Sequence, residues 1–251
     1  DLLDLFDLPI ITTQLSNLAD SLVGACLTIA AEKTGIAPAD FVVLALGKLG
    51  GRELNYSSDI DLLFLADTTS ERLKTLGERL IDGLTRVTGE GFLYRVDMRL
   101  RPWGHSGPLV TSVDGYLAYL KQHARIWEKQ ALLKARVVAG DDALGQVFLD
   151  RAGPLIFDVR PAEVRRSVAM MKQLTEDHLR QRGREWGEVK LGEGSIRDVE
   201  FVTQYLQLVH GADRPAVHGA NTLTALDRLL GSGLIAARDH RILTDGYVFL
   251  R

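Results

Sequence analysis

Two carboxylates, Asp59 and Asp61, stand two residues apart at the start of an apolar run. In a β-strand this spacing places both carboxylates on one face, while Ile60 and Leu62 point to the other face and anchor the strand. Two negative charges held this close raise each other's pKa unless a cation lies between them. Mg²⁺ suits such a pair, because it binds a few carboxylates and leaves other coordination positions to phosphate oxygens.

The segment before these carboxylates contains glycines and serines in an order that indicates phosphate binding. Gly50 and Gly51 lack a Cβ, so the backbone there can approach a phosphate closely. Ser57 and Ser58 come directly before the first carboxylate, and their hydroxyls can donate hydrogen bonds to phosphate oxygens. The same two serines could instead cap the entry of the strand. We expect all four residues to contribute to a nucleotide-binding site.

A third carboxylate, Asp97, lies in an alternating segment that also carries Arg99 and Arg101. Alternation puts these three side chains on one face of a strand predicted over residues 92–100. An acid and two guanidinium groups would then surround a metal-bound phosphoryl group. With the first two carboxylates, Asp97 could hold two Mg²⁺ ions, one at the attacking oxygen and one at the leaving oxygen. A lone Asp-x-Asp is usually structural, whereas this combination of features favours catalysis.

The composition is that of an ordinary globular protein, with 46% hydrophobic and 25% charged residues among 251. The net charge of −3 requires neither a nucleic acid nor a membrane as partner. The single cysteine, Cys26, rules out an intramolecular disulfide and indicates a reducing compartment, for which we predict the cytoplasm. No apolar run approaches the roughly 20 residues that span a bilayer, and no signal peptide is evident. The first residue is not Met, and we expect the natural protein to extend beyond both ends.

Periodicity predicts an α+β fold whose strands all lie in the first part of the chain. Predicted strands cover residues 41–46, 60–65 and 92–100, and an irregular loop covers residues 102–108. Predicted helices cover residues 12–34, 70–88, 113–123, a stretch from 127 through 137, 161–182, 198–210 and 223–230. The apolar positions of the first helix are Leu15, Leu18, Leu22, Ala25 and Ile29. We therefore expect an α/β core with an N-terminal helix over residues 1–150 and a helical bundle over residues 151–251.

Four longer sequence words resemble the glutamine synthetase adenylyltransferase family, within the DNA polymerase β-like nucleotidyltransferase superfamily. They are GKLGGRELNYSSDIDL at 47–62, DMRLRPWGHSGPL at 97–109, WEKQALLKAR at 127–136 and KLGEGSIRDVEF at 190–201. The resemblance extends from about residue 41 to residue 230, which is most of the chain. It implies a polymerase β-like nucleotidyltransferase core followed by a helical bundle, with Mg²⁺ as cofactor.

The same resemblance implies a reaction. Members of this family typically carry two copies of the domain, one removing AMP from a glutamine synthetase tyrosine by phosphorolysis and one attaching it from ATP. Arg197 and the wording that follows Asp97 are similar to the removing copy, whereas the word at 127–136 is nearer the attaching copy. We expect deadenylylation that releases ADP. ATP-dependent adenylylation and a non-catalytic module that binds glutamine synthetase or the PII signalling protein are the alternatives.

Further residues acquire a candidate role from the resemblance alone. Lys134 and Arg136 belong to a family word that lies near the nucleotide, although periodicity by itself places them on a solvated helix face. Arg197 and Glu200 lie one helical turn apart, which is compatible with a surface ion pair or with a site. The six histidines show no metal-ligand spacing, so zinc is not expected. Expected partners are glutamine synthetase, PII, phosphate and adenine nucleotides, without nucleic acid or membrane.

Overall fold

A computed structural model describes residues 7–184 and 186–251 of the chain. Helices and strands are numbered separately along the sequence. In chain order the elements are α1 (Leu8–Thr34), β1 (Phe41–Leu46), α2 (Gly47–Gly50), β2 (Ile60–Ala66), α3 (Glu71–Thr85), β3 (Val96–Asp97), β4 (Val110–Ser112), α4 (Val113–Gln122), α5 (Ile126–Leu132), β5 (Arg136–Gly140), α6 (Asp142–Phe157), α7 (Pro161–Gln181), α8 (Ile196–His210), α9 (Thr222–Gly231) and α10 (Ala237–Leu250).

The described chain divides into two compact units. The sheet unit contains the described residues up to Ala124 together with Lys134–Leu155, and the helical unit contains Arg125–Leu133 and Ile156–Arg251. Helix α5 thus groups with the helical unit, although in sequence it interrupts the sheet unit. The division near residue 150 into a catalytic core and a helical bundle stays a prediction.

The sheet unit is built on a five-stranded mixed sheet in the order β3-β2-β1-β5, with β4 also paired to β2. β1 runs antiparallel to β2 and β5, whereas β3 and β4 run parallel to β2. Every residue of β1 is fully buried, which explains why its sequence is a continuous apolar run and does not alternate. The predicted strands at 41–46 and 60–65 are confirmed.

One face of this sheet is covered by α1 and α3. Val43, Ala45, Leu62 and Phe64 point into this layer and pack with apolar residues of the two helices. On α6, Gly145 lies so close to the side chains of Val42 and Val137 that a Cβ would overlap one of them. The strands are therefore enclosed by helical residues and rigidly placed.

Helix α1 is confirmed, but the expected apolar face is wrong. Leu18 and Ile29 are 52% and 49% exposed, whereas the neighbouring stripe that includes Ala19 and Val23 is buried. Small residues on the buried stripe let α1 lie close to the sheet and to α3. Ser16 on this stripe accepts a hydrogen bond from the Leu54 amide, so its burial is compensated.

The sheet also differs from its expected form at two strands. The strand expected over residues 92–100 is reduced to Val96–Asp97, and the helical stretch expected through residue 137 ends at Leu132. Residues 136–140 form β5 instead, because they pair with the central strand β1. This tertiary pairing outweighs the local helical pattern. The β-branched residues Val137 and Val138 also favour a strand.

The helical unit contains no strand among its described residues, as expected. Its core brings together Ile196 and Val199 of α8, Leu226 of α9 and Tyr247 of α10. Asn221 caps α9, because its side chain accepts a hydrogen bond from the Thr224 amide. In neither unit does the described chain include a helix of the length and apolar character needed to cross a membrane.

The sheet core makes a stability prediction. Phe64 is fully buried, with its ring 5.4 Å from the ring of Phe41, and it lies against Gly77 of α3. Replacement Phe64→Ala should lower the free energy of unfolding by about 3–5 kcal/mol, because it leaves a cavity that the close-packed layer cannot fill. Phe92→Ala, at a position that is 48% exposed, is the matched control and should cost about 1 kcal/mol or less. Equal urea midpoints for the two variants would contradict this placement of Phe64.

Candidate active site

The three candidate carboxylates lie at the starts of the neighbouring strands β2 and β3. Asp59 directly precedes β2, and Asp61 is the second residue of that strand. In the parallel ladder Asp61 is the register partner of Asp97, and in the antiparallel ladder it is the partner of Leu46, the last residue of β1. The predicted convergence of Asp61 and Asp97 from neighbouring strands is therefore present in the backbone.

A glycine that the sequence interpretation omitted makes room for Asp61. Gly47 begins the short helix α2 with a φ of 55°, a value that favours glycine. A Cβ at Gly47 would overlap the carboxylate of Asp61. The position of Gly47 directly after a buried apolar run is the sequence signal that points to this role.

Two of the three carboxylates are paired with arginines. The Asp59 carboxylate accepts a hydrogen bond from Nε of Arg95, whose terminal nitrogen also donates to the Ser57 carbonyl at 2.8 Å. The Asp97 carboxylate is paired with Arg99, which donates both from its backbone amide and from its guanidinium. Arg95 was not among the expected site residues, although the alternation that groups Asp97 with Arg99 also places Arg95 on the same strand face.

Arg99 interacts electrostatically with all three candidate carboxylates. Its pKa is raised first by the hydrogen bond and charge of Asp97 and further by the charges of Asp61 and Asp59, against the lowering effect of burial. The Arg99 guanidinium therefore lies in the electrostatic field of all three acids. A positive charge is what three nearby carboxylates require.

The donor set suits a hard cation such as Mg²⁺, since all three groups offer carboxylate oxygens. The register of Asp61 and Asp97 fits a shared ion. Among the described residues, however, no three acidic, histidine or cysteine side chains converge closely enough to form a metal-binding group as they stand. The pair of Asp59 with Arg95 is exposed on both sides, and such pairs contribute only about 0–1 kcal/mol. Reorientation of Asp59 toward an ion is therefore inexpensive.

Arg101 has a different position from the one expected. Because β3 ends at Asp97, Arg101 does not share a strand face with that carboxylate. Its guanidinium donates instead to the carbonyls of Met98, Gly107 and His105, at 2.9, 3.3 and 3.4 Å. Arg101 thus holds the loop after β3 in its folded form.

Lys134 and Arg136 are directed toward partners within the sheet unit. The ammonium of Lys134 forms a buried ion pair with Glu53 at 2.5 Å. Arg136 forms a two-pronged ion pair with Asp20 of α1, at 2.7 and 2.9 Å, and also donates to the carbonyls of Leu49 and Gly50. These two cations fix the turn that contains α2.

The glycine pair also serves this packing. A Cβ at Gly50 would overlap the Lys134 carbonyl and crowd the Ala45 carbonyl, so its small size lets protein backbones approach each other. Gly51 is buried beside it. Ser57 is exposed and Ser58 half-buried at the far end of the same loop. Of the four residues expected to bind phosphate in this segment, the two serines are therefore the ones open to a ligand.

Backbone strain is concentrated around the carboxylates. Among the described non-glycine residues, positive φ values occur at Asp40, Arg52, Ser57 and Trp103. Arg52 and Ser57 lie in the loop before Asp59, and Trp103 lies in the loop after β3. Each such residue costs of the order of 1–3 kcal/mol, and strain of this kind is typical of functional sites.

Arg197 lies apart from this group in sequence, in the helical unit. It sits in the first turn of α8, half-buried, with its guanidinium 5.8 Å from the centre of the Phe201 ring. Burial lowers its pKa, while the charge of Glu200 raises it. The expected association with Glu200 is present as an electrostatic interaction.

Two family models match the chain in succession. The model described as glutamate-ammonia ligase adenylyltransferase matches residues 1–151. The model described as GlnD PII-uridylyltransferase matches residues 168–251.

Curated relatives match nearly the whole chain. It is 40% identical over 252 residues to the bifunctional glutamine synthetase adenylyltransferase/adenylyl-removing enzyme of Mycobacterium avium, covering 96% of this chain and 24% of that protein. The protein of the same name from Corynebacterium efficiens is 40% identical over 249 residues, with 96% and 23% covered. That from Hahella chejuensis is 35% identical over 280 residues, with 100% and 28% covered. The chain thus spans about a quarter of the length of these relatives.

The buried ion pair can be tested by removing one charge. Glu53→Gln should lower the free energy of unfolding by about 3–5 kcal/mol, because the Lys134 ammonium would be left buried without a compensating charge. Glu71→Gln removes a carboxylate from the exposed pair with Lys74 and should cost about 1 kcal/mol or less. Urea denaturation compares the two. A loss for Glu53→Gln no larger than for Glu71→Gln would show that the pair does not secure the turn.

The Asp97–Arg99 pair makes a prediction about pH. Burial raises the pKa of Asp97, but the hydrogen bonds from Arg99 outweigh it and hold the pKa below its usual value. Arg99→Gln should therefore make Asp97 titrate at higher pH, as measured by NMR of its carboxyl carbon. A depressed carboxyl pKa stabilises the fold above the unfolded value of about 3.9 and ceases to do so as pH falls through the folded value.

The stability difference between wild type and Arg99→Gln should accordingly be largest above about pH 4 and shrink on acidification. The control is Arg86→Gln, which removes the partner of Asp82 at the end of α3. It should leave the titration of Asp97 unchanged. An Asp97 pKa that does not rise in Arg99→Gln would contradict the proposed balance of interactions.

Proposed function

Since the chain belongs to the glutamate-ammonia ligase adenylyltransferase family, we propose that it removes AMP from an adenylylated tyrosine of glutamine synthetase by phosphorolysis. Glutamate-ammonia ligase is glutamine synthetase, and the relatives carry both adenylyltransferase and adenylyl-removing in their name. The observation that carries the proposal is the register that sets Asp61 beside Asp97, with Asp59 one residue before the same strand. Three acids at the start of two parallel strands suit transfer of a phosphoryl-linked group.

The fold proposed for the first 150 residues is a polymerase β-like nucleotidyltransferase core. It is supported by β2, which carries Asp59 and Asp61 and runs between antiparallel β1 and parallel β3. For residues 151–251 we propose a helical bundle. The match of residues 168–251 to a PII-uridylyltransferase model supports the PII signalling protein as a partner of the whole protein.

In this proposal Asp59, Asp61 and Asp97 hold Mg²⁺, which when bound neutralises phosphoryl oxygens and favours in-line displacement. Arg99 and Arg95 are the exposed cations beside the carboxylates, with side chains that are 66% and 59% exposed. Once released from their carboxylates, they can bind inorganic phosphate through two parallel N–H groups each. Ser57 and Ser58 supply hydroxyl donors to the phosphoryl group of the substrate.

The reaction then balances without a covalent enzyme intermediate. An oxygen of inorganic phosphate forms a bond to the phosphorus of the AMP group, and the bond from that phosphorus to the tyrosine oxygen breaks. ADP is the product, and the tyrosine oxygen takes a proton from solvent. The protein contributes mainly by orientation and by neutralising charge. Lys134 and Arg136 contribute indirectly, because they hold the turn that contains Gly47 and Gly50 and that packs against Asp61.

The test is to incubate the chain with adenylylated glutamine synthetase, Mg²⁺ and phosphate, and to measure ADP. We expect phosphate-dependent ADP from the wild type and a loss of at least about 10²-fold in Asp61→Asn, typical for removing one group that stabilises transition-state charge. Asp67→Asn is the matched control, because Asp67 is an exposed carboxylate that directly follows the other end of β2. It should retain wild-type turnover.

Other outcomes assign the site differently. AMP transfer from ATP onto unmodified glutamine synthetase, without phosphorolysis, would reverse the direction of the reaction. Neither reaction, with glutamine synthetase still bound, would favour a binding module. Equal loss of activity in Asp61→Asn and Asp67→Asn would contradict the assignment of the carboxylates.

A further inference from the structure

Trp103 combines an exposed aromatic ring with a strained backbone. Its φ of 64° and ψ of 11° lie in the left-handed region, which bulky residues rarely adopt. Its exposed fraction is 58%, so the strain is not compensated by burial of the indole. Strained residues persist where the surrounding structure fixes them, and they concentrate at binding and active sites.

The surroundings of Trp103 hold the indole in one orientation. Its ring makes an edge-to-face contact with Tyr119, with centroids 4.9 Å apart, and a tilted contact with His123 at 5.1 Å. The Trp103 carbonyl accepts a hydrogen bond from the Ser106 amide at 3.2 Å. Gly107 packs so closely on the Pro102 carbonyl that a Cβ would overlap it. The ring is thus positioned before any ligand arrives, which lowers the entropic cost of binding.

The loop that carries Trp103 is closed onto the segment that directly follows Asp97. Arg101 ties the Met98 carbonyl, directly after Asp97, to the Gly107 carbonyl at the other end of the loop. Gly104 lies beside the carbonyl of Arg99, whose guanidinium is paired with Asp97. The Trp103 loop is thus attached to the residues that immediately follow Asp97, one of the candidate phosphate-site carboxylates.

We propose that the exposed face of the Trp103 indole stacks on the adenine ring of the nucleotide handled at this site. The inference rests on the proposed function, which places the phosphates of that nucleotide at the carboxylates. An aromatic ring binds a base through its π face, so stacking adds affinity while the phosphates set the position.

The neighbourhood of Trp103 favours a base over an apolar protein surface. In the described chain between Leu93 and Val147, Trp103 is the one large apolar side chain that is exposed. Arg99 and His105, both exposed, accompany it in the same loop. A protein partner would require a contiguous apolar patch, whereas a single indole in the same loop as the Arg99 guanidinium suits a planar base attached to phosphates.

The experiment measures binding of ADP and of inorganic pyrophosphate to the chain by titration calorimetry in Mg²⁺. Trp103→Asn removes the indole but keeps the turn, because asparagine adopts the left-handed conformation more readily than other side chains. We expect it to weaken ADP binding at least about fivefold and to leave pyrophosphate binding within about twofold. Trp103→Phe retains a stacking ring and should stay within about threefold of wild type for ADP. Trp186→Asn, at a tryptophan that is 96% exposed in the helical unit, should change neither affinity.

Three results would overturn the inference. Unchanged ADP affinity in Trp103→Asn would exclude stacking. An equal loss for ADP and pyrophosphate would mean that Trp103 only supports the loop. A wild type that binds pyrophosphate but not ADP would place no base at the site. In each case the loss of phosphorolysis in Asp61→Asn remains a separate measurement, so the proposed function can stand when the stacking fails.

Discussion

Close approach of negative charges is the constraint on which the site depends. The ladder between β2 and β3 sets Asp61 opposite Asp97, and Asp59 is one residue outside the same strand. Carboxylates at this spacing repel, so a fold that holds them there must supply positive charge nearby. In the structure Arg99 is paired with Asp97 and Arg95 with Asp59, and the charges of Asp59 and Asp61 further raise the pKa of Arg99. The arrangement is stable with these arginines, and their exposure makes them replaceable by a cation and a phosphate.

Ion pairs hold the turn that contains α2 in place, and this turn positions Asp61. Lys134 and Arg136 extend from the segment that begins β5 and form ion pairs with Glu53 and Asp20, while Arg136 also binds the carbonyls of Leu49 and Gly50. A buried ion pair stabilises a fold only modestly, but it strongly penalises any arrangement in which the partners separate. The turn that carries Gly47 is thereby fixed against the end of β2. The family resemblance suggests that Lys134 and Arg136 contact the nucleotide. Their ion pairs show that both cations also have a structural role.

The sequence predicted those parts of the structure that depend on local pattern. Buried runs identified β1 and β2, and the Asp-x-Asp spacing placed the candidate carboxylates at the start of β2, because these signals do not depend on distant residues. Tertiary effects decided the rest. β5 forms because residues 136–140 pair with the edge of β1 that β2 does not occupy. Helix α1 buries Ala19 in place of Leu18, because the small side chains on that face allow closer packing. Arg101 does not lie on the expected strand face, because its guanidinium donates hydrogen bonds to three loop carbonyls. Hydrophobic periodicity contains no information about such contacts.

Direction of transfer is a property of the acceptor and not of the carboxylates. In the proposed function both reactions are in-line displacements at the phosphorus of an AMP group, by phosphate on adenylyl-tyrosine for removal and by tyrosine on ATP for attachment. Neutralisation of charge by the three acids and Mg²⁺ would serve either reaction. What distinguishes phosphorolysis is the need to bind a free phosphate dianion beside a phosphodiester that is already negative. Exposed cations meet that need, because they can leave a carboxylate and accept the phosphate. The side chains of Arg95 and Arg99 are exposed, whereas Lys134 and Arg136 are themselves buried or half-buried against their carboxylates. The residues that would bias this site toward removal are therefore the two arginines of the β3 region.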